Sequence, residues 1–288
     1  MKVLHLDENF KPCGYDIRYK KFKFPGGETY IKIEDEFKDE VLITQVIRNG
    51  DDIIEIALAV DALNRVGIEN INLFIPYAPY ARQDRVMTQG ESLSIKVFAN
   101  MINNMFFNKV YIFDPHSDVT LALIDRCHVI NNHRFVKKMI WDIFRKNPFG
   151  KLYLISPDSG ANKKIKDLAI HLSDLNLYNI EIVQCDKTRD VKTGNIDGFK
   201  VYSDKSDFMD GPCLIVDDIC DGGGTFIGLG NQLLNFQPNG LYLAVSHGIF
   251  SKGINDLTDH LFDQVFTTNS FYNKNFKNVT TYNLEIEI

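Results

Sequence analysis

The sequence contains few cysteines, and no pattern among them indicates a structural or catalytic role. Its 288 residues include five cysteines, an odd number scattered along the chain without a Cys-x-x-Cys pair of the zinc-binding or redox type. No apolar run approaches the roughly 18 residues that a membrane helix requires, and the first residues show no signal-peptide pattern. We therefore expect reduced thiols in a cytoplasmic protein that has no contact with a membrane.

Positive charge is not in excess either. The chain has 38 acidic and 32 basic residues, a formal net charge of -6, whereas a general nucleic-acid binder needs a positive field over the phosphates. We expect no nucleic-acid partner, and any basic site must be local. The content of 44% hydrophobic and 24% charged residues is typical of a folded chain and excludes a disordered one.

Short apolar runs recur along the chain and predict buried strands. They are Val41–Ile47, Ile71–Ile75, Val110–Phe113, Leu152–Ile155, Ile180–Val183, Leu214–Val216 and Leu241–Val245. The segments between them have helical periodicity. In Asp51–Asn64 we expect Ile54, Leu58 and Ala62 to share the buried face before Gly67 ends the helix. This alternation predicts an α/β fold with mostly parallel sheets flanked by helices.

Chain length and one proline- and glycine-containing seam predict two subdomains. The seam, Asn147–Gly150, precedes a new strand and follows an amphipathic stretch with apolar residues at Phe135, Met139, Ile140 and Ile143. We therefore place the subdomains at residues 1–148 and 149–288. In each of them a strand ends in a polar turn, VYIFDPHSD in the first and LIVDDICDGGGT in the second.

The second of these turns, Leu214–Thr225, is the most informative segment. A buried strand ends in two carboxylates, Asp217 and Asp218, and three glycines then lead into a predicted helix. Ligands bind at the carboxyl edge of open parallel sheets, and the amides of a glycine-rich helix N-terminus suit a phosphate. The alternative is a plain glycine-rich turn. We predict a phosphate-binding loop.

This segment resembles the ribose-phosphate loop of the phosphoribosyltransferase superfamily. A second stretch, IPYAPYARQDR at Ile75–Arg85, resembles the signature of the ribose-phosphate diphosphokinases. Further matches follow that family's order along nearly the whole chain: FPGGE, DPHSD, SPDSGA, DKTR and SHGIFS. The resemblance implies two phosphoribosyltransferase-like subdomains, the first binding ATP and the second binding ribose phosphate.

The resemblance also implies the ATP ligands. Arg82 and Gln83 would bind ATP with Arg85 beside them, and arginine side chains match the geometry of phosphate oxygens. The alternative for these residues is a surface salt-bridge cluster. Phe24 and Glu28 would complete the ATP site from a neighbouring subunit, which implies a homo-oligomer.

Metal binding and catalysis are assigned in the same way. His116 and Asp158 would hold Mg2+, an ion that prefers oxygen ligands and keeps several waters. Lys187 and Arg189 would be the catalytic cations, acting on charge that develops during transfer. They precede a polar stretch, DVKTGNIDG at 190–198, which the sequence predicts to be a mobile loop.

The implied reaction is transfer of the β,γ-diphosphate of Mg-ATP to the anomeric hydroxyl of a ribose 5-phosphate unit, with release of AMP. The acceptor would be bound by residues of the second subdomain, namely Asp158, Asp217, Asp218, Asp221, Gly222, Gly223, Gly224 and Thr225. No Walker or Rossmann fingerprint competes with this assignment, and the reaction needs no nucleophilic side chain.

Two positions depart from the family pattern. Gly26 stands where the family has aspartate, which leaves selectivity for adenine open, and Gly222 replaces a hydroxyl residue of the phosphate loop. The second change predicts a roomier cradle with one donor fewer. The acceptor is therefore either ribose 5-phosphate or ADP-ribose, feeding nucleotide or NAD synthesis. A non-catalytic regulatory paralogue and an ordinary phosphoribosyltransferase are the alternatives.

Overall fold

The computed structural model describes residues 1–146, 148, 150–173, 179–189, 196–271 and 276–286. The chain divides into two compact units. The first consists of Met1–Asn131 together with Asn283–Ile288, and the second of Asn132–Tyr282. None of the helices in the described part of the chain is long and apolar enough to span a membrane.

The first unit contains seven strands and three helices among its described residues. The strands are β1 (Lys2–His5), β2 (Tyr19–Lys23), β3 (Thr29–Ile33), β4 (Val41–Thr44), β5 (Ile71–Ile75), β6 (Lys109–Phe113) and β7 (Cys127–Ile130). The helices are α1 (Gly50–Arg65), α2 (Ser94–Asn103) and α3 (Asp118–Leu123).

Five of these strands form one sheet in the order β1-β4-β5-β6-β7, and every pair in it is parallel. All residues of β4 and β5 are buried, as expected for strands that are covered on both faces. Strands β2 and β3 form a separate antiparallel hairpin.

Helix α1 begins and ends close to the predicted residues but turns a different face to the core. Asn49 caps it, accepting from the amides of Asp51 and Asp52, and Gly67 follows its end with a left-handed backbone at φ 86°. The predicted buried face was wrong, because Ile54 is 57% exposed. The buried positions are Ile53, Glu55, Ile56, Ala59, Val60 and Leu63, a stripe that runs the full length of the helix at helical spacing.

The second unit contains seven strands and four helices among its described residues. The helices are α4 (His133–Lys146), α5 (Asn162–Ser173), α6 (Gly224–Leu234) and α7 (Asn255–Thr258). The strands are β8 (Lys151–Ser156), β9 (Asn179–Arg189), β10 (Ile196–Tyr202), β11 (Cys213–Cys220), β12 (Leu241–Gly248), β13 (Gln264–Thr268) and β14 (Val279–Tyr282).

These strands form one sheet in the order β10-β9-β8-β11-β12-β13-β14, in which the pair β9–β10 is antiparallel. The other pairs are parallel, so the predicted α/β class with mostly parallel sheets is confirmed. The strand order reverses between β8 and β11. In doubly wound sheets the loops at the carboxyl ends of two such strands diverge and leave a crevice for ligands.

The division between the units lies before α4, whereas the sequence placed it at residues 148 and 149. Helix α4 packs its apolar face, including Phe135 and Met139, against Leu152 of β8 and Leu168 of α5. An amphipathic helix is stable only where its apolar stripe is covered, and here the following strand covers it. The C-terminal segment returns to the first unit, where Leu284 joins a buried cluster. The seam residues Asn147 and Phe149 lie outside the described residues.

Candidate active site

The segment after β5 forms a tight turn at the carboxyl edge of the first sheet. Tyr80 has a left-handed backbone at φ 64°, and the amide of Gln83 donates to the carbonyl of Tyr80 at 2.9 Å. Ala81 is buried, whereas Arg82, Gln83 and Arg85 are exposed. The turn therefore anchors its backbone inside the unit and presents two guanidinium groups and an amide at the surface.

Asp84 connects this turn with the turn after β6. Arg85 Nε donates to Asp84 Oδ1 at 2.9 Å. That hydrogen bond lowers the pKa of the Asp84 carboxyl, and the charge of the nearby His116 ring acts in the same direction. Because β5 and β6 are parallel neighbours, their carboxyl ends meet at one edge. The structure thus brings Arg85 and His116, predicted from separate motifs, into one neighbourhood.

The turn between β2 and β3 carries the two residues predicted to complete the ATP site. The amide of Phe24 donates to the carbonyl of Glu28 at 2.9 Å, and Phe24 packs edge-on against Tyr30 with ring centroids 6.0 Å apart. A Cβ on Gly26 would lie 2.5 Å from Glu28 Oε2. The glycine at this position therefore leaves room for the Glu28 carboxylate, which an aspartate side chain would displace.

In the second unit an ion pair joins the ends of β8 and β9. Lys187 Nζ donates to Asp158 Oδ2 at 2.7 Å, and the amide of Ala161 donates to Asp158 Oδ1 at 3.1 Å. Both carboxylate oxygens of Asp158 are therefore engaged, one by a cation and one by the backbone that leads into α5. Arg189 is the last residue of β9, but its side chain and residues 190–195 of the predicted loop lie outside the described part of the chain.

Two adjacent carboxylates, Asp217 and Asp218, lie in the second half of β11, which continues to Cys220. Burial raises the pKa of Asp217 well above its ordinary value, and the charge of Asp218 raises it further. The amide of Asp218 also donates to Asp217 Oδ1 at 2.9 Å. Two carboxylates held this close repel each other when both are ionised. The pair is therefore poised to bind a cation or to hydrogen-bond with hydroxyl groups.

The predicted phosphate loop connects β11 with α6. Gly223 has a left-handed backbone at φ 77° and precedes the helix directly, a conformation that glycine adopts without strain. A Cβ on Gly224 would meet nothing within 4 Å, so the first turn of the helix is open on that side. The first amides of a helix have no partner within it and suit an anion. Thr225 follows in the same turn and is partly exposed.

The sequence predicted a roomier cradle at Gly222, but in the structure the side chain of Lys252 occupies that space. The Cδ atom of Lys252 lies 3.2 Å from the place that a Cβ on Gly222 would take. Lys252 comes from the loop after β12, where the amide of Ser251 donates to the carbonyl of Asp221 at 3.1 Å. Lys252 was not among the residues predicted from the sequence, because one lysine after SHGIFS carries no chemical signal of its own.

Cys220, the last residue of β11, and Cys185 of β9 are not nucleophiles. Burial raises the pKa of the Cys220 thiol to about 12, and it raises the pKa of Cys185 to about 12 as well. Both remain protonated at neutral pH, and all five cysteines are free. The site therefore contains charge and hydrogen-bond donors but no activated thiol.

The predicted magnesium ligands belong to different units, His116 to the first and Asp158 to the second. Among the described residues, no group of three or more His, Cys, Asp or Glu side chains is arranged to hold a metal ion. Mg2+ commonly takes one or two protein carboxylates and completes its shell with water and substrate phosphates. The repelling pair Asp217–Asp218 fits that mode of binding.

The fold and the loop define a protein of the phosphoribosyltransferase class. The family model for the phosphoribosyl transferase domain matches residues 130–283, and the model for the N-terminal domain of ribose phosphate pyrophosphokinase matches residues 15–105. The crystal structure of phosphoribosylpyrophosphate synthetase from Mycobacterium smegmatis has the same fold. Its TM-score is 0.74 at 21% identity, over 93% of this chain and 86% of that one.

Sequence relatives identify the family within that class. The ribose-phosphate pyrophosphokinase of Pyrococcus abyssi is 28% identical over 92% of this chain and 88% of the relative. The ribose-phosphate pyrophosphokinase of Synechocystis is 30% identical over 86% of this chain and 72% of the relative. The chain belongs to the ribose-phosphate pyrophosphokinase family and is an ATP-dependent transferase.

Proposed function

We propose that the chain transfers the β,γ-diphosphate of ATP to the anomeric hydroxyl of ribose 5-phosphate. A bond forms between the anomeric oxygen and the β-phosphorus, the bond from the β-phosphorus to the α-phosphate oxygen breaks, and AMP leaves. The names of the relatives, ribose-phosphate pyrophosphokinases, support both the acceptor and the type of transfer.

The observation that carries this proposal is the meeting of two turns in the first unit. The turn with Arg82, Gln83 and Arg85 lies beside the turn with His116, and both follow parallel neighbouring strands. Guanidinium groups match phosphate oxygens bidentately. A phosphoribosyltransferase that consumes phosphoribosyl diphosphate has no use for such a triphosphate site, and this supports a diphosphokinase instead.

In the second unit the acceptor would lie over the phosphate loop. The amides and glycines at 222–224, with Asp221 and Thr225, would hold the 5-phosphate, while Asp217 and Asp218 would bind the ribose hydroxyls or a second cation. Asp158 lies after the neighbouring strand β8 and would contact the ribose from its other side.

Mg2+ would supply electrostatic neutralisation of the triphosphate. His116 of the first unit and Asp158 of the second are each proposed as a Mg2+ ligand, and the Asp217–Asp218 pair is suited to a further ion. Lys187, together with Arg189, would stabilise the negative charge that develops on the oxygens of the migrating group.

The aromatic turn between β2 and β3 supports assembly into a homo-oligomer. Phe24 is 46% exposed and Phe22 is 38% exposed, and their rings are 5.0 Å apart in an edge-on contact. Adjacent aromatic rings at a surface are typical of a site that another molecule covers. We propose that ATP bound to a neighbouring subunit covers these two rings.

An assay for AMP tests the function. We expect the protein with Mg-ATP to form AMP only when ribose 5-phosphate is added, and to form a product that carries diphosphate at the anomeric carbon. ADP-ribose, the second acceptor that the sequence left open, is assayed in parallel. Formation of ADP instead of AMP, or the lack of sugar-dependent AMP with either acceptor, would contradict the assignment.

A further inference from the structure

Lys252 occupies a defined place beside the phosphate loop. It lies in a turn closed by a hydrogen bond from the amide of Gly253 to the carbonyl of Phe250 at 2.9 Å. The same loop is tied to β11 by the amide of Ser251, which donates to Asp221, and by the amide of Ile249, which donates to Cys220. Because the backbone is held at both points, the Cα atom of Lys252 has a fixed position relative to the phosphate loop.

The methylene groups of Lys252 lie over Gly222. The Cδ, Cε and Cγ atoms are 3.2, 3.4 and 3.5 Å from the place that a Cβ on Gly222 would take. The backbone of Gly222 is not in the left-handed region, in contrast to that of Gly223. Glycine is therefore needed at position 222 for space and not for backbone conformation, and the space is used by the lysine chain.

The ammonium group is one bond beyond Cε and is not held by the protein. Lys252 makes no hydrogen bond or ion pair with any residue that the structure describes, although Asp221 lies in the adjoining loop, and the lysine is solvent-exposed. Its charge is therefore available to a ligand. A phosphate bound at the start of α6 would be within reach of this flexible side chain, whose head group is a point charge with three donors.

We propose that Lys252 is a substrate-binding residue that takes the place of the missing hydroxyl at position 222 and binds the 5-phosphoryl group of the acceptor. This inference rests on the proposed function. A terminal phosphate monoester is a dianion near neutral pH, whereas the phosphoryl group next to the ribose of ADP-ribose is joined by an anhydride bond to a second phosphorus and carries one charge. An added cation therefore favours ribose 5-phosphate over ADP-ribose.

The test compares Lys252→Met, which keeps the methylene packing and removes the charge, with Lys252→Arg, which keeps the charge. A charge-assisted hydrogen bond contributes about 1.5 to 3 kcal/mol, and 1.4 kcal/mol corresponds to tenfold in a binding constant. We expect Lys252→Met to raise the KM and the calorimetric Kd for ribose 5-phosphate about tenfold or more. The kcat and the KM for ATP stay close to wild type, and Lys252→Arg recovers most of the loss.

Lys166→Met is the matched control, because Lys166 is an exposed lysine of α5 without a partner among the described residues. It should change none of these constants. An unchanged Kd for ribose 5-phosphate in Lys252→Met would overturn the inference even if the wild type is fully active. If instead the wild type binds ribose 5-phosphate but forms no AMP, the proposed function fails and the effect of Lys252→Met on binding still decides the role of the lysine.

Selectivity is tested by the ratio of the two acceptors' binding constants. Lys252→Met should weaken the binding of ribose 5-phosphate more than the binding of ADP-ribose. An equal change in both binding constants would overturn the preference for a monoester.

A second pair of variants tests the contact itself. Gly222→Thr should raise the KM for ribose 5-phosphate because the new side chain displaces Lys252. In a Lys252→Ala background the same substitution should raise the KM for ribose 5-phosphate only slightly, since the space is empty and the threonine hydroxyl is a donor. Non-additivity of this kind is expected for residues in contact. An equal cost of Gly222→Thr in both backgrounds would show that the lysine does not occupy the site.

Discussion

Replacing Lys187 by methionine will lower kcat while changing the KM for ATP little. Loss of one preorganised donor to a developing anion typically costs about 10²- to 10³-fold in turnover. Methionine keeps most of the side-chain volume, so the neighbouring packing is preserved. Steady-state kinetics with ribose 5-phosphate and varied ATP measure both constants, and Lys166→Met again serves as the control for removing a surface charge.

The Lys187–Asp158 ion pair, 2.7 Å long, offers a second explanation for a loss of turnover in Lys187→Met. Lys187 either acts on the migrating group or only holds Asp158 in place. In the second case Asp158→Asn would have the same effect as Lys187→Met, and the double variant would lose nothing more. We expect a further loss in the double variant, and Arg189→Ala should resemble Lys187→Met. A rise in the KM for ATP with kcat intact would reduce both cations to binding residues.

Asp217→Asn will abolish most activity and will stabilise the protein at neutral pH. Burial and the charge of Asp218 raise the folded-state pKa of Asp217 above its ordinary value of 3.8, so the folded protein holds this proton more tightly than the unfolded chain. The contribution of Asp217 to the free energy of unfolding is fully present below the pKa of this group in the unfolded chain. It is lost as the pH rises through the pKa of the group in the folded protein. The amide has no charge to desolvate and escapes that loss.

Thermal denaturation at a series of pH values measures this effect. The Tm of Asp217→Asn should equal that of the wild type below about pH 4, near the unfolded pKa. It should exceed the Tm of the wild type at neutral pH, where a gain of about 1 kcal/mol would appear as about 2 to 4 °C. Mg2+ should raise the Tm of the wild type and have less effect on the variant. A variant that is less stable than wild type at neutral pH would contradict this account.

Several features of the fold follow from local sequence. Ile71–Ile75 was predicted as a strand and is β5, because a short, mostly apolar run is typical of a strand covered on both faces. The loop at Leu214–Thr225 was also predicted correctly as a strand, a glycine turn and a helix. These features depend on residues close in sequence, and so did the family assignment, which rested on motifs such as ARQDR.

The sequence alone determined the α/β class, the family and the order of the motifs. The tertiary structure decided which face of α1 is buried, where the chain divides between the units, and which side chains meet. Ile54 is exposed because the core contacts the other side of its helix, a choice that periodicity alone leaves open. The contacts Lys187–Asp158 and Lys252–Gly222 join residues 29 and 30 positions apart. Spacing along the chain carries no information on such pairs, because sheet order and loop hydrogen bonds determine which distant residues become neighbours.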